Sequence, residues 1–230
     1  MSKLLETLRS KKLSLIVALP ENSVELAKAA EAGGADAVKA HLKMVHRASG
    51  IRFGTLEQER PVLEEILRSV SIPVGIVPGA EEGTSPEELA ELRRMGIDFV
   101  DMFVHFSPTY MLTEPTMGRM VAITNDYDSE YLYGLNRLPG VDMVEAAIMP
   151  KEQYGQPLTF NDVARYAAIA GRLAEKPIIV PSQKALKPAD AEVLAQAGVK
   201  AIMIGVLSTG SSYREVEQAA REFRRVIDSL

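Results

Sequence analysis

Four times in this chain a stretch with helical apolar spacing ends at glycine, continues with one apolar and one polar residue, and runs into a short apolar segment. The copies are Gly34-Ala35-Asp36-Ala37-Val38, Gly96-Ile97-Asp98-Phe99-Val100, Gly140-Val141-Asp142-Met143-Val144 and Gly198-Val199-Lys200-Ala201-Ile202. Glycine can take the left-handed conformation that stops a helix. The run behind it is too short for another helix but rich enough in branched residues for a buried parallel strand. Each copy therefore predicts a helix-to-strand junction.

Between these junctions lie apolar runs at 13–19, 72–77 and 177–180, and a weaker one at 120–124, which brings the expected strands to eight. Pro73 and Pro177 suit the first residue of a strand, where a missing N–H costs least. Helical spacing marks 23–32, 56–70, 86–95, 129–138, 161–174, 188–197 and 212–227. The connection 105–119, with Pro108, Pro115 and Gly118, predicts a loop with at most a short helix. Strict alternation leaves a closed barrel or an open doubly wound sheet. The regular recurrence favours a (β/α)8 TIM barrel, and 230 residues suit one such domain spanning 1–230. The segment from Met1 to Lys12 reads as a short amphipathic helix on Leu4, Leu5 and Leu8, part of the fold and without the apolar core of a signal peptide.

The charge of -5 is spread along the chain, with no basic block to neutralise a phosphodiester backbone, so nucleic acid is not an expected partner. No apolar run reaches about 18 residues, so no membrane span is expected and the cytoplasm is the expected compartment. The chain has no cysteine, which excludes disulfides, thiolate nucleophiles and Cys-ligated metals. Homodimerisation is left open.

In a barrel, alternate residues of each strand point inward, and one interior layer is drawn from alternate strands. Counting five residues from each glycine gives Lys39, Asp101, Glu145 and Met203, expected at one depth near the C-terminal strand ends. A lysine between two carboxylates offsets the cost of interior charge. The cluster is either a structural plug or a source of general acid and base catalysis, since coupled buried groups can be tuned toward neutrality. His41 falls on the same strand face as Lys39, and His105 at or just past the end of the fourth strand. Both are candidates to orient or polarise a ligand, with His46 a weaker one. Two carboxylates and two histidines could instead hold a divalent ion, but their spacing matches no zinc or calcium signature. Neither metal nor cofactor is expected.

Two loops suit an anion. The first, 43–54, carries His46, Arg47, Ser49, Gly50, Arg52 and Gly54, and Arg52 is the anion-binding candidate taken from it; an ordinary solvated loop has the same composition. The second follows the eighth strand as Gly205-Val206-Leu207-Ser208-Thr209-Gly210-Ser211-Ser212. Its glycines allow close backbone approach, its hydroxyls add donors, and a helix N-terminus follows. Ser212 with Glu215 also fits a capping box, which would need only one of those hydroxyls. Ser182 and Gln183 end the seventh strand, and in such barrels phosphate commonly sits on the loops after strands seven and eight.

From Ile178 through Pro188-Ala189-Asp190, Ala197-Gly198-Val199 and Ile204-Gly205 to the 208–212 loop, the chain resembles the ribulose-phosphate-binding barrel superfamily. It is most similar there to N-acetylmannosamine-6-phosphate 2-epimerases, and more loosely to phosphoribosylanthranilate isomerases and tryptophan synthase α chains. The resemblance covers roughly the last fifty residues and implies phosphate held by Ser182, Gln183, Gly205, Ser208, Thr209, Gly210 and Ser211. The epimerases use a lysine at the end of strand three, where this chain has Ile76-Val77-Pro78-Gly79, and a glutamate after strand seven, where it has Gln183. Acid and base must then come from Lys39, Asp101 and Glu145, with His41 and His105 assisting. The expected activity is an isomerase, epimerase or lyase acting on a small phosphorylated sugar or related metabolite. The alternatives are a Schiff-base aldolase using Lys39, or a phosphometabolite-binding protein without catalysis.

Overall fold

The computed structural model describes residues 2–46 and 48–230; Met1 and Arg47, both named above, lie outside the described residues. Eight strands close into a barrel in chain order: β1 (Ser14–Ala18), β2 (Ala37–His41), β3 (Val74–Val77), β4 (Phe99–Phe103), β5 (Gly118–Ile123), β6 (Met143–Ala146), β7 (Ile178–Pro181) and β8 (Ala201–Ile204). Every neighbouring pair is parallel, and β8 returns to β1. Around the strands run α1 (Lys3–Ser10), α2 (Val24–Ala32), α3 (Leu56–Ser69), α4 (Pro86–Met95), α5 (Ser129–Asn136), α6 (Phe160–Arg172), α7 (Asp190–Gln196), α8 (Val206–Thr209) and α9 (Tyr213–Ile227). None of the helices among the described residues is long and apolar enough to cross a membrane.

The fourfold recurrence fixes the register. In each copy the polar residue donates its main-chain N–H to the strand before it: Asp36 to the Leu15 carbonyl, Asp98 to Val74, Asp142 to Arg119 and Lys200 to Ile178. The strand that follows is locked in phase with its neighbour, and the residue three further on points inward. The aspartates also use their carboxylates at this end of the barrel. Asp36 accepts from the Leu15 N–H, Asp142 from the Arg119 N–H, and Asp98 from the N–H groups of Lys3 and Leu4 at the start of α1.

Some expectations need correction. Gly34, Gly96 and Gly198 are left-handed, but Gly140 is not. It is glycine because a Cβ there would sit 2.3 Å from the Leu112 carbonyl oxygen. Helix α5 has already ended at Asn136, ahead of Pro139. Pro73 and Pro177 stand one residue ahead of β3 and β7, where their carbonyls accept from Val38 and Val144. The β4–β5 connection holds only two 3-10 turns, Val104–Phe106 and Thr109–Thr113, as its composition predicts, but Gly118 and Arg119 belong to β5.

The amphipathic N-terminal helix is the floor of the barrel. Leu4, Leu5 and Leu8 of α1 pack against the inward residues Ile16, Ala37, Phe99, Met120, Met143, Ile179 and Ala201, in a cluster separate from the main core between sheet and helices. Phe99 reaches the axis because its neighbour on β3 is Gly75, where a Cβ would fall 2.1 Å from the ring. Leu8 is fully buried in this plug. Leu8→Ala is expected to lower the unfolding free energy by about 2–5 kcal/mol in a urea titration.

Candidate functional site

Above the plug the barrel interior turns polar. The Lys39 ammonium donates to Asp101 Oδ2 at 2.5 Å and to Glu145 Oε2 at 2.8 Å, with Lys39 5%, Asp101 2% and Glu145 7% exposed. These are three of the four side chains expected at one depth, and Met203 from the fourth copy lines the same cavity. Burial alone lowers the pKa of Lys39, but the two carboxylates outweigh it and the net shift is upward. Glu145 is pushed well above the ordinary carboxylate range, first by burial and then by the Asp101 charge, against the opposing pull of Lys39. One ammonium cannot neutralise two buried carboxylates, which favours the protonated form of Glu145. Asp101 Oδ1 is buried without a hydrogen-bond partner.

These groups form the floor of a cavity of about 420 Å3 that the C-terminal strand ends and their loops enclose. His41, last residue of β2, faces it with a buried ring whose Nδ1 has no partner. Its pKa falls well below the usual histidine value, through burial first and then through His46 and Lys39, so the ring is neutral. Asn22 holds the His41 main chain on both sides, donating to its carbonyl at 2.8 Å and accepting from its N–H at 3.1 Å. His46 also lines the cavity, its ring 5.0 Å from that of His41. His105 does not. It sits in the turn after β4, exposed and packed on Phe103 and Phe106, and only those two phenylalanines reach the cavity wall. The two-residue alternation that placed His105 inside ends with the strand, because the chain coils into a 3-10 turn at Val104.

The loop after β8 also differs from expectation. Ser182, Gln183 and Gly205 line the cavity, together with Val206 and Leu207. Ser208, Thr209, Gly210 and Ser211 do not. Ser208 Oγ donates to the Leu186 carbonyl, Thr209 Oγ1 donates to the Gly210 carbonyl, and Ser211 is exposed ahead of Ser212, which starts α9 through the capping box with Glu215. In place of a hydroxyl cradle there is the short helix α8, whose first N–H groups, on Val206 and Leu207, have no acceptor within the helix. Ser182 Oγ accepts the Gly205 N–H at 2.8 Å and thereby fixes where α8 begins. Gln183 is committed internally: its Oε1 accepts from the Met149 N–H at 3.0 Å and its Nε2 donates to Tyr154 Oη at 2.7 Å. Tyr154, which lines the cavity, carried no sequence signal, since its position follows from that contact across 29 residues.

At the mouth Arg52 is exposed beside the cavity and makes no ion pair with another described residue. Lys43, in a left-handed backbone conformation, binds Glu88 of α4 at 2.5 Å and so joins the loop after β2 to the helix that follows β3. Among the described residues no group of three or more His, Asp or Glu side chains is placed to hold a metal ion.

Because the folded state holds a proton on Glu145 that the unfolded chain releases in the ordinary carboxylate range, stability is fullest below that range and falls as pH rises through the elevated folded value. Glu145→Gln is expected to flatten this part of the stability curve, read from urea midpoints across pH 4 to 9. Lys39→Met leaves two buried carboxylates without their cation and is expected to cost about 3–5 kcal/mol near neutral pH. That loss should shrink on acidification.

No protein-family model matches the chain, and no curated protein sequence matches it. Its fold is nevertheless shared with solved enzymes. Thiamine phosphate pyrophosphorylase from Pyrococcus furiosus superposes with a TM-score of 0.64 at 15% identity, over 95% of this chain and 97% of that one. A tryptophan synthase from M. tuberculosis gives 0.67 at 14% identity over 99% of both chains. Phosphoribosyl anthranilate isomerase from Thermus thermophilus gives 0.64 at 14% identity, over 92% of this chain and 98% of that one. The likeness to these enzymes is one of fold, a closed (β/α)8 barrel.

Proposed function

We propose that this barrel is an enzyme that binds a small phosphorylated metabolite and moves a proton on it, as an isomerase, epimerase or lyase working by general acid and base catalysis. The observation that carries the reading is the floor of the cavity, where Glu145 keeps its proton beside a carboxylate and an ammonium. A carboxyl group whose pKa is raised, set beside a second carboxyl group, is a pairing suited to proton transfer to and from a carbon centre. In this reading Glu145 protonates or polarises the substrate. Asp101, whose side chain lines the cavity floor, receives the proton. Lys39 fixes the distance between the two. The neutral His41 ring offers a further contact to a substrate oxygen.

The phosphate is assigned to the N-terminus of α8, where the Val206 and Leu207 N–H groups and the Ser182 hydroxyl converge, with Arg52 adding charge at the rim. This replaces the 208–211 hydroxyls, which are turned to main-chain acceptors or to solvent. Two fold neighbours, thiamine phosphate pyrophosphorylase and phosphoribosyl anthranilate isomerase, bear names that speak of phosphorylated molecules, which supports the ligand class. The Schiff-base route loses ground, because Lys39 is held as an ammonium between two carboxylates and an attacking amine must be unprotonated.

The test is solvent exchange. Phosphorylated aldoses, ketoses and hydroxy acids incubated with the protein in D2O should gain deuterium next to a carbonyl, followed by proton NMR. Glu145→Gln and Asp101→Asn should each slow the exchange by about a hundredfold or more. Exchange at the parental rate in both variants, or none in the parent across the panel, would remove the proposal, and a borohydride-stable adduct on Lys39 would restore the aldolase.

A further inference from the structure

His46 has no role in the scheme above, and its surroundings define its chemistry more closely than those of any other cavity residue. Its Nδ1 lies 3.2 Å from the main-chain N–H of Ser49 and 3.0 Å from Ser49 Oγ. A main-chain N–H can only donate, so Nδ1 must be the acceptor. Ser49 Oγ itself accepts the Ile51 N–H at 3.3 Å, which leaves its hydroxyl hydrogen free to point at the same ring nitrogen. In the neutral ring the proton is therefore on Nε2, the one donor that His46 can offer to the cavity it lines. The turn that does this is held in place. His46 and Phe53 are joined to its far side by the bonds from His46 N–H to the Ile51 carbonyl and from Phe53 N–H to the Met44 carbonyl, and Val45 pairs antiparallel with Arg52.

We infer that His46 is a catalytic residue that donates its Nε2–H, as a neutral imidazole, to the substrate oxygen on which negative charge develops when the proton leaves carbon. This rests on the proton-transfer reading and adds to it a second electrophile beside Glu145. The charge environment agrees with a neutral donor: burial first, and then the Lys39 ammonium, hold the His46 pKa down at about 4. A neutral imidazole is a weak acid close in strength to an enolic oxygen, so it stabilises that oxygen by sharing a proton without surrendering it first. An imidazolium in the same place would add a second cation beside Lys39. His41 packs edge-on against His46 on one side, their ring centroids 5.0 Å apart. The substrate class narrows accordingly to phosphorylated carbonyl compounds whose carbonyl oxygen lies on the β2 side of the cavity, one strand removed from β8 and the α8 N-terminus.

Two measurements on the full chain test it. In the 15N-labelled protein, long-range 1H–15N spectra should show His46 in the neutral Nε2–H form at pH 7 and still so at pH 5; an Nδ1–H pattern or an imidazolium overturns the inference whatever the enzyme does. The second uses 2-phosphoglycolate, which carries a planar carboxylate oxygen next to a phosphate. Binding should move the His46 Nε2–H resonance. His46→Leu should bind the probe roughly tenfold more weakly than His46→Gln, which keeps an N–H donor. Binding that leaves the resonance unmoved, or that is equal in the two variants, sinks the inference alone. A parent protein that ignores the probe sinks the phosphometabolite reading and this inference with it.

Discussion

The ammonium of Lys39 is where the architecture and the chemistry of this barrel meet. It belongs to β2, its partners to β4 and β6, and it reaches both only because three strands that never touch one another are in the same phase around the axis. A slip of one residue in β2 would turn the ammonium toward the helices and leave two buried carboxylates without their cation, at several kcal/mol per ion. The interaction is thus a check on register as well as a site. The apolar plug below it supports the same geometry. With Phe99, Met143 and the leucines of α1 filling the lower barrel, water has access from the loop side alone, which keeps the dielectric low where the proton on Glu145 is held.

The rim is held by side chains that bind main chain across long sequence distances. Asn22 closes on His41 from both sides and also donates to Glu59, whose other oxygen accepts the Gly54 N–H at the end of the β2 loop. Gln183 does the same on the opposite side, joining the end of β7 to Met149 and Tyr154. Lys184 next to it is buried against Asp162 of α6. These bonds cost the ligand nothing at the moment of binding, since the groups they fix are already in place.

The sequence was legible wherever local spacing and main-chain bonding agree. Gly34, Gly96, Gly140 and Gly198 locate four junctions, and the N–H of the residue two further on is pinned to the preceding strand, so counting from glycine gave the inward faces of β2, β4, β6 and β8 correctly. The helix start at Ser212 was equally readable, because its cap with Glu215 is a bond over three residues. Counting failed at His105, where the strand had ended, and undervalued His46, which returns to the cavity through the Val45–Arg52 pairing. The hydroxyls at 208–211 misled for a related reason. A run of Ser and Thr can present donors to a ligand or spend them on nearby carbonyls, and that choice depends on Leu186, which is distant in sequence.

The proton on Glu145 also bears on how an anion enters. With both carboxylates ionised, the cavity floor would carry one net negative charge against the single cation of Lys39, and the neutral rings of His41 and His46 would do nothing to cancel it. A phosphorylated ligand would then meet repulsion along the axis of a low-dielectric pocket, where Coulomb terms are largest. Protonated, Glu145 makes the floor neutral, so attraction is left to the fixed dipoles at the start of α8 and to Arg52 at the rim. Those groups lie to one side of the mouth, and in the proposed reading they would orient the ligand with its phosphate toward β8 and its reactive end toward Asp101 and Glu145. In that reading the proton that would serve as the acid also removes the repulsion that an anionic substrate would meet.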